Sequence, residues 1–165
     1  MTVDISETLI GISEIAVALA GFTGIVVAFG SRREGAWHPG DRIRLGFLLE
    51  ASLTAAGFAL LGLLLVSTDL DPETSWLLCS VLWSGYMMAS LFTSRAALKG
   101  ARRNHGDVDR FANNITVTLF VVFIIIQLFN ALVWREFWPF LGGLILNLAG
   151  AAMQFARLIR SAFRV

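Results

Sequence analysis

Two glutamates, Glu14 and Glu50, stand inside long apolar stretches of the sequence. A carboxylate in hydrocarbon is expensive, so each is expected to face protein, water or another polar group. At the helical rise, Glu14 falls about 9 Å below the outer end of the first apolar stretch, and Glu50 about 9 Å in from the opposite end of the second. Two acids in opposite thirds of a membrane do not share a proton within one subunit. With Asn147 near the midplane, they outline a route for a proton or cation by alternating protonation. The competing expectation is that each acid, protonated or hydrogen-bonded, fixes how helices pack.

The neighbours of both acids are small. Heptad spacing aligns Glu7, Gly11, Glu14, Ala18, Gly21, Ile25 and Ala28 on one stripe, and Gly46, Thr54 and Gly57 share the face of Glu50, so another backbone can approach closely. A second small series, Ala16, Ala20, Gly24 and Ala28, offers a further packing face. The last apolar stretch carries a polar line through Glu136, Gly143, Asn147, Ala151, Gln154 and Ser161, which is expected to face inward. Depth alone sets Gln127 and Asn130 near the level of Glu14, and Ser90 and Gln154 near that of Glu50. The candidate intramembrane polar site is therefore Glu14, Glu50, Gln127, Asn130, Asn147 and Gln154.

Other chemistry finds little footing. His38 and His105 have no cysteine or acidic cluster beside them, so no metal site is expected. The single cysteine, Cys79, can form neither an intramolecular disulfide nor a CxxC pair. Thr23, Thr54 and the serines lack an intramembrane His or Lys as base, and neither HExxH nor a glycine-rich phosphate loop occurs. Neither an enzyme nor a cofactor is expected, and no nucleic-acid partner. Arg95, Lys99, Arg102 and Arg103 could form one basic helical face against anionic lipid head groups.

The elements that must position these residues are apolar helices. Hydrophobic residues make up 56% of the chain and charged ones 15%, and the mean hydropathy is +0.72, a composition suited to lipid. Five stretches approach the ~20 residues needed to cross the hydrocarbon layer: about 8–29, 43–66, 75–94, 115–134 and 137–156. Gly40 and Asp41 precede the second, Asp71, Pro72 and Glu73 open the third, and Pro139 falls in the first turn of the fifth, where its missing N–H costs nothing. The segment from Arg95 to Arg110 is expected to begin as a continuation of the third helix. Asp4 and Glu7 stand where a signal peptide would carry positive charge, so the first helix is expected to be retained.

Basic residues alternate by loop: Arg32, Arg33, Arg42 and Arg44 follow the first helix, none follows the second, and Arg95, Lys99, Arg102, Arg103 and Arg110 follow the third. Arg157, Arg160 and Arg164 gather near the C-terminus, so all thirteen Lys and Arg residues except Arg135 fall on one side. Basic loops resist translocation. The expected fold is an all-α, integral membrane bundle of five transmembrane helices forming one domain, N-terminus outside and C-terminus cytoplasmic. Trp76, Trp134 and Trp138 then lie at the outer interface and Trp37 at the inner one. Small loops suit a bacterial inner membrane. The expected role is a non-enzymatic bundle acting by self-association or as an accessory subunit of a larger membrane complex, in contact with membrane lipids; the alternative is a proton- or cation-linked transporter or channel using Glu14 and Glu50.

Overall fold

The computed structural model describes residues 4–30, 39–105 and 110–162, and within these ranges the side chains of 27–30, 39–44, 94–105, 110–117, 119 and 160–162 lie outside the description. The described residues are helical, without a strand among them: α1 (Ile5–Gly30), α2 (Pro39–Val66), α3 (Pro72–His105), α4 (Arg110–Phe129), a π-helical turn (Asn130–Trp134) and α5 (Phe137–Ala162).

The helix starts have local causes. Asp4 precedes α1 and its Oδ1 accepts from the backbone N–H groups of Ser6 at 2.9 Å and Glu7 at 3.3 Å, which satisfies donors of the first turn. Asp71 does the same for α3 more weakly, accepting from the Thr74 N–H at 3.4 Å. Pro72 is the first residue of α3, where a proline's fixed φ favours the helix. Pro39 takes that position in α2, so Gly40 and Asp41 belong to its first turn instead of preceding it. α3 runs on to His105, the continuation expected beyond Arg95.

Four helical segments are long and apolar enough to cross a membrane, Ile5–Val26, Leu45–Val66, Pro72–Thr93 and Phe137–Ile159, with Phe120–Trp134 as a shorter apolar fifth. Each contains one of the five stretches expected from the sequence or most of it.

The chain forms two compact units. In the first, residues 1–69 and 141–165, α1 packs on α2. Leu9, Ile12, Ala16 and Thr23 are buried on α1, and Leu48, Ser52, Ala55 and Ala59 on α2. Both sets repeat at three and four residues, the period of a helix seam, and the alanines permit close approach. Phe155 of α5 meets Phe22 of α1 at a centroid distance of 6.1 Å.

The second unit, residues 70–140, is built on α3, α4 and the π-helical turn. Trp83 is fully buried, 5.5 Å from the Phe123 ring and 5.2 Å from that of Phe140 in an edge-on arrangement. Trp76 lies 5.0 Å from Phe137 and 5.8 Å from Phe140. Tilted and edge-on pairs suit the ring quadrupoles, and they set the first turn of α5 against α3.

Candidate functional site

Asn130 makes three side-chain hydrogen bonds in the second unit. It has no exposed surface. Its Nδ2 donates to Ser80 Oγ at 2.8 Å and to the Glu136 carbonyl at 3.0 Å, while its Oδ1 accepts from the Glu136 N–H at 3.1 Å. One side chain thus closes the turn between α4 and α5 and fastens it to α3. The backbone does the rest: the Arg135 N–H donates to the Asn130 carbonyl at 2.6 Å, with Arg135 in the left-handed region at φ 54°. That arrangement ends a helix by capping its last carbonyls. Arg135 also stands 3.9 Å from Glu73, both side chains being well exposed.

Gln127, one turn before Asn130 and also fully buried, donates through Nε2 to the Pro139 carbonyl at 2.7 Å. Its Oε1 is buried and accepts no hydrogen bond among the described residues. Ser84 Oγ donates to the Ser80 carbonyl at 2.7 Å. The partners of Gln127 and Asn130 are therefore in the turn, in α3 and in the first turn of α5.

In the first unit, Asn147 of α5 donates through Nδ2 to the Ala51 carbonyl of α2 at 3.2 Å. This bond sets Asn147 at the level of the residue after Glu50. Gln154, two turns further along α5, is offset by about 10 Å along the axis, so Asn147 and not Gln154 lies at the depth of Glu50. Gln154 is half-buried and its Oε1 has no hydrogen-bond partner among the described residues; the same holds for the buried Ser52 Oγ. The polar line of the fifth helix is mixed in environment: Gly143 and Ala151 are buried, Asn147 and Gln154 half-buried, and Glu136 exposed.

Glu14 stands apart from these networks. Glu14 and Glu50 are both exposed on the surface of the single chain. Glu14 lies about 13 Å into its span at the helical rise and makes no hydrogen bond or ion pair among the described residues. Around it Glu7, Ala18, Gly21 and Ile25 are exposed and Gly11 half-buried. A Cβ built on Gly11, Gly21, Gly46 or Gly57 would meet nothing within 4 Å, so the glycines beside both acids leave bare backbone on an open surface. The Thr54 side chain is buried and so leaves the open face of Glu50.

Arg95, Lys99, Arg102 and Arg103 lie on the backbone of α3, and their side chains, with that of His105, lie outside the described ones; His38 lies outside the described residues altogether. Among the described residues no group of three or more His, Cys, Asp or Glu could hold a metal ion. Cys79 is a buried free thiol.

Fold and site together define an all-helical protein with four to five apolar helices able to span a membrane, in which the Gln127 and Asn130 carboxamides are buried and the Glu14 and Glu50 carboxylates exposed. Comparison with protein-family models, with curated proteins and with solved structures finds no match.

Proposed function

We propose that the chain is a multi-pass membrane protein that works by association within the bilayer, its outward acidic faces docking on another polypeptide, and that it performs no catalysis. One observation carries this reading: Glu14 sits deep in an apolar span, exposed, with no donor among the described residues. A charged side chain at such depth costs at least ~2.5–3.5 kcal/mol when lipid is its only neighbour. A covering helix removes that cost, and the small residues beside Glu14 let its backbone come close. The distribution of basic residues supports an orientation with the N-terminus outside and the C-terminus in the cytoplasm, in a plasma membrane of the bacterial inner-membrane type.

The second reading is a proton- or cation-linked transporter. Its support is the Asn147 bond to the Ala51 carbonyl, one residue from Glu50. Wild type and the variants Glu14→Lys, Glu14→Gln and Glu50→Gln, sized in mild detergent and reconstituted in liposomes for proton and cation flux, separate the two. Association predicts no flux from wild type and a smaller assembly for Glu14→Lys. Flux from wild type that is lost in normally assembled Gln variants replaces it with transport.

A further inference from the structure

We infer that α5 is hinged at Gly142 and Gly143, and that the Gln127 carboxamide supplies both partners for the backbone groups a bend there releases. This goes beyond the association reading and does not depend on it.

Two separate sets of contacts hold α5. Residues 137–140, its first turn, belong to the second unit, and the helix from Leu141 onward to the first. In the first turn Trp76 packs on Phe137 and Phe140, and Gln127 donates to the Pro139 carbonyl. Further along, Asn147 donates to the Ala51 carbonyl of α2 and Phe155 meets Phe22 of α1. Gly142 and Gly143 fall between the two sets. Glycine holds a helix less firmly than other residues do, apart from proline, and adjacent small residues are one of the places where helices bend sharply. Packing does not explain the glycine at 142: it is exposed, and a Cβ there would meet nothing within 4 Å.

The bond that a bend would break can be named, and so can its replacement. In a straight α5 the Pro139 carbonyl accepts from the Gly143 N–H, four residues on. Gly143 lies about 9 Å into the span that starts at Phe137, where backbone groups released into lipid find no water to bond. Gln127 already donates to that same carbonyl at 2.7 Å. A carbonyl oxygen has two lone pairs, so it can hold both donors or keep one when the other leaves. The other end of the carboxamide, Oε1, is buried and has no partner among the described residues. It is a bare acceptor beside the turn in which a bend sets a donor free. In the bent helix Nε2 keeps the Pro139 carbonyl and Oε1 takes the Gly143 N–H, so one side chain bridges the broken rung of the ladder. A side chain inserted into the ladder is an established cause of bending. A buried acceptor without a donor raises the energy of the straight state, and filling it lowers that of the bent one, which brings the two within reach of each other.

The test uses the full chain with 15N-labelled glycine in phosphatidylcholine nanodiscs, and reads microsecond-to-millisecond exchange at the Gly142 and Gly143 amides by relaxation dispersion. Wild type should show exchange at both. Gly142→Ala should lower the bent population by about two- to fivefold, the preference of a helix interior for alanine over glycine. Gln127→Leu should lower it by more than about tenfold, since the released carbonyl and N–H then have no partner in hydrocarbon. Gly150→Ala lies in the same helix, where a Cβ also meets nothing within 4 Å, and should leave exchange at Gly142 and Gly143 unchanged. Absence of exchange at these amides in wild type overturns the inference. So does exchange that survives Gln127→Leu, or that Gly150→Ala suppresses as much as Gly142→Ala does. Should Gln127→Leu fail to fold, the comparison of Gly142→Ala with Gly150→Ala, both at uncrowded positions, decides by itself. None of these readouts measures assembly, so the association reading stands or falls separately.

Discussion

Replacing Asn130 by Leu should cost more than replacing any other described polar residue of the bundle, and the size follows from its bonds. Three hydrogen bonds are lost at once, to Ser80 Oγ, the Glu136 carbonyl and the Glu136 N–H. Hydrogen bonds between helices in a bilayer average roughly 0.6 kcal/mol, so three put the loss near ~2 kcal/mol. An amide of Glu136 left without a partner in the turn would add ~1 kcal/mol or more. Asn147→Leu, which gives up one bond of 3.2 Å, should cost only about 0.6 kcal/mol on the same scale. Ser80→Ala removes one of the three contacts, and its cost should be absent in an Asn130→Leu background, a coupling of about 0.6 kcal/mol in a double-mutant cycle. SDS titration in mixed micelles, followed by tryptophan fluorescence, measures all four chains. If Asn130→Leu costs no more than Asn147→Leu, or the Ser80 coupling is absent, then the side chain does not close the turn as described.

Arg135→Gly should leave stability unchanged or raise it by up to about 1 kcal/mol, since glycine takes a φ of 54° without the Cβ penalty and the exposed 3.9 Å pair with Glu73 contributes little; Arg135→Val should instead lose about 1 kcal/mol or more, both read in the same titration. Trp83→Ala empties a fully buried site between Phe123 and Phe140 and should cost about 3 kcal/mol or more, with a lower midpoint and loss of the edge-on ring contact in the tryptophan emission. Gly85→Ala, on an exposed helical surface where a Cβ meets nothing within 4 Å, should stabilise by about 0.5–1 kcal/mol in an unfolding titration.

Helix number and several helix starts are legible in the sequence because they depend on local chemistry. Asp71 with Pro72 and Pro139 in the first turn of α5 act within one turn, and both sit in the structure where the sequence places them. The second helix starts earlier than expected because Pro39, not Asp41, supplies the starting geometry. What the sequence could not fix was azimuth. Rise per residue gives depth, which sets Gln127 and Asn130 near the level of Glu14 but says nothing of their partners, the Pro139 and Glu136 backbone and Ser80. In a soluble protein the polar face would have revealed which side points out; in lipid, inward and outward faces are equally apolar and the signal vanishes. One clue was available: an asparagine five residues before the Arg135 and Glu136 link is well placed to cap a tight turn.

The separation of amides from acids has a single physical cause. The interior of a helical bundle offers mainly backbone carbonyls and hydroxyls that already donate to their own helix, as Thr23 does to Leu19 and Ser84 to Ser80. Such an interior is rich in acceptors. A carboxamide can donate to it, and Gln127, Asn130 and Asn147 all do so, to Pro139, Glu136 and Ala51. An ionised carboxylate only accepts, so beside those carbonyls it would meet repulsion. Exchanging one for the other should therefore act on different properties at different sites. Gln127→Glu replaces the donor that reaches Pro139 at 2.7 Å and should weaken the fold at neutral pH by about 1–3 kcal/mol while leaving assembly of the surviving protein intact. Glu14→Gln should leave the unfolding midpoint of the single chain unchanged, because Glu14 bonds to nothing described within it, and should act instead on the size of the assembly in mild detergent. Unfolding titration and sizing in mild detergent on the two variants read these properties separately. A shift of the midpoint by Glu14→Gln equal to that of Gln127→Glu would show that Glu14 is bonded inside the chain, and the division between fold-forming amides and assembly-forming acids would fail.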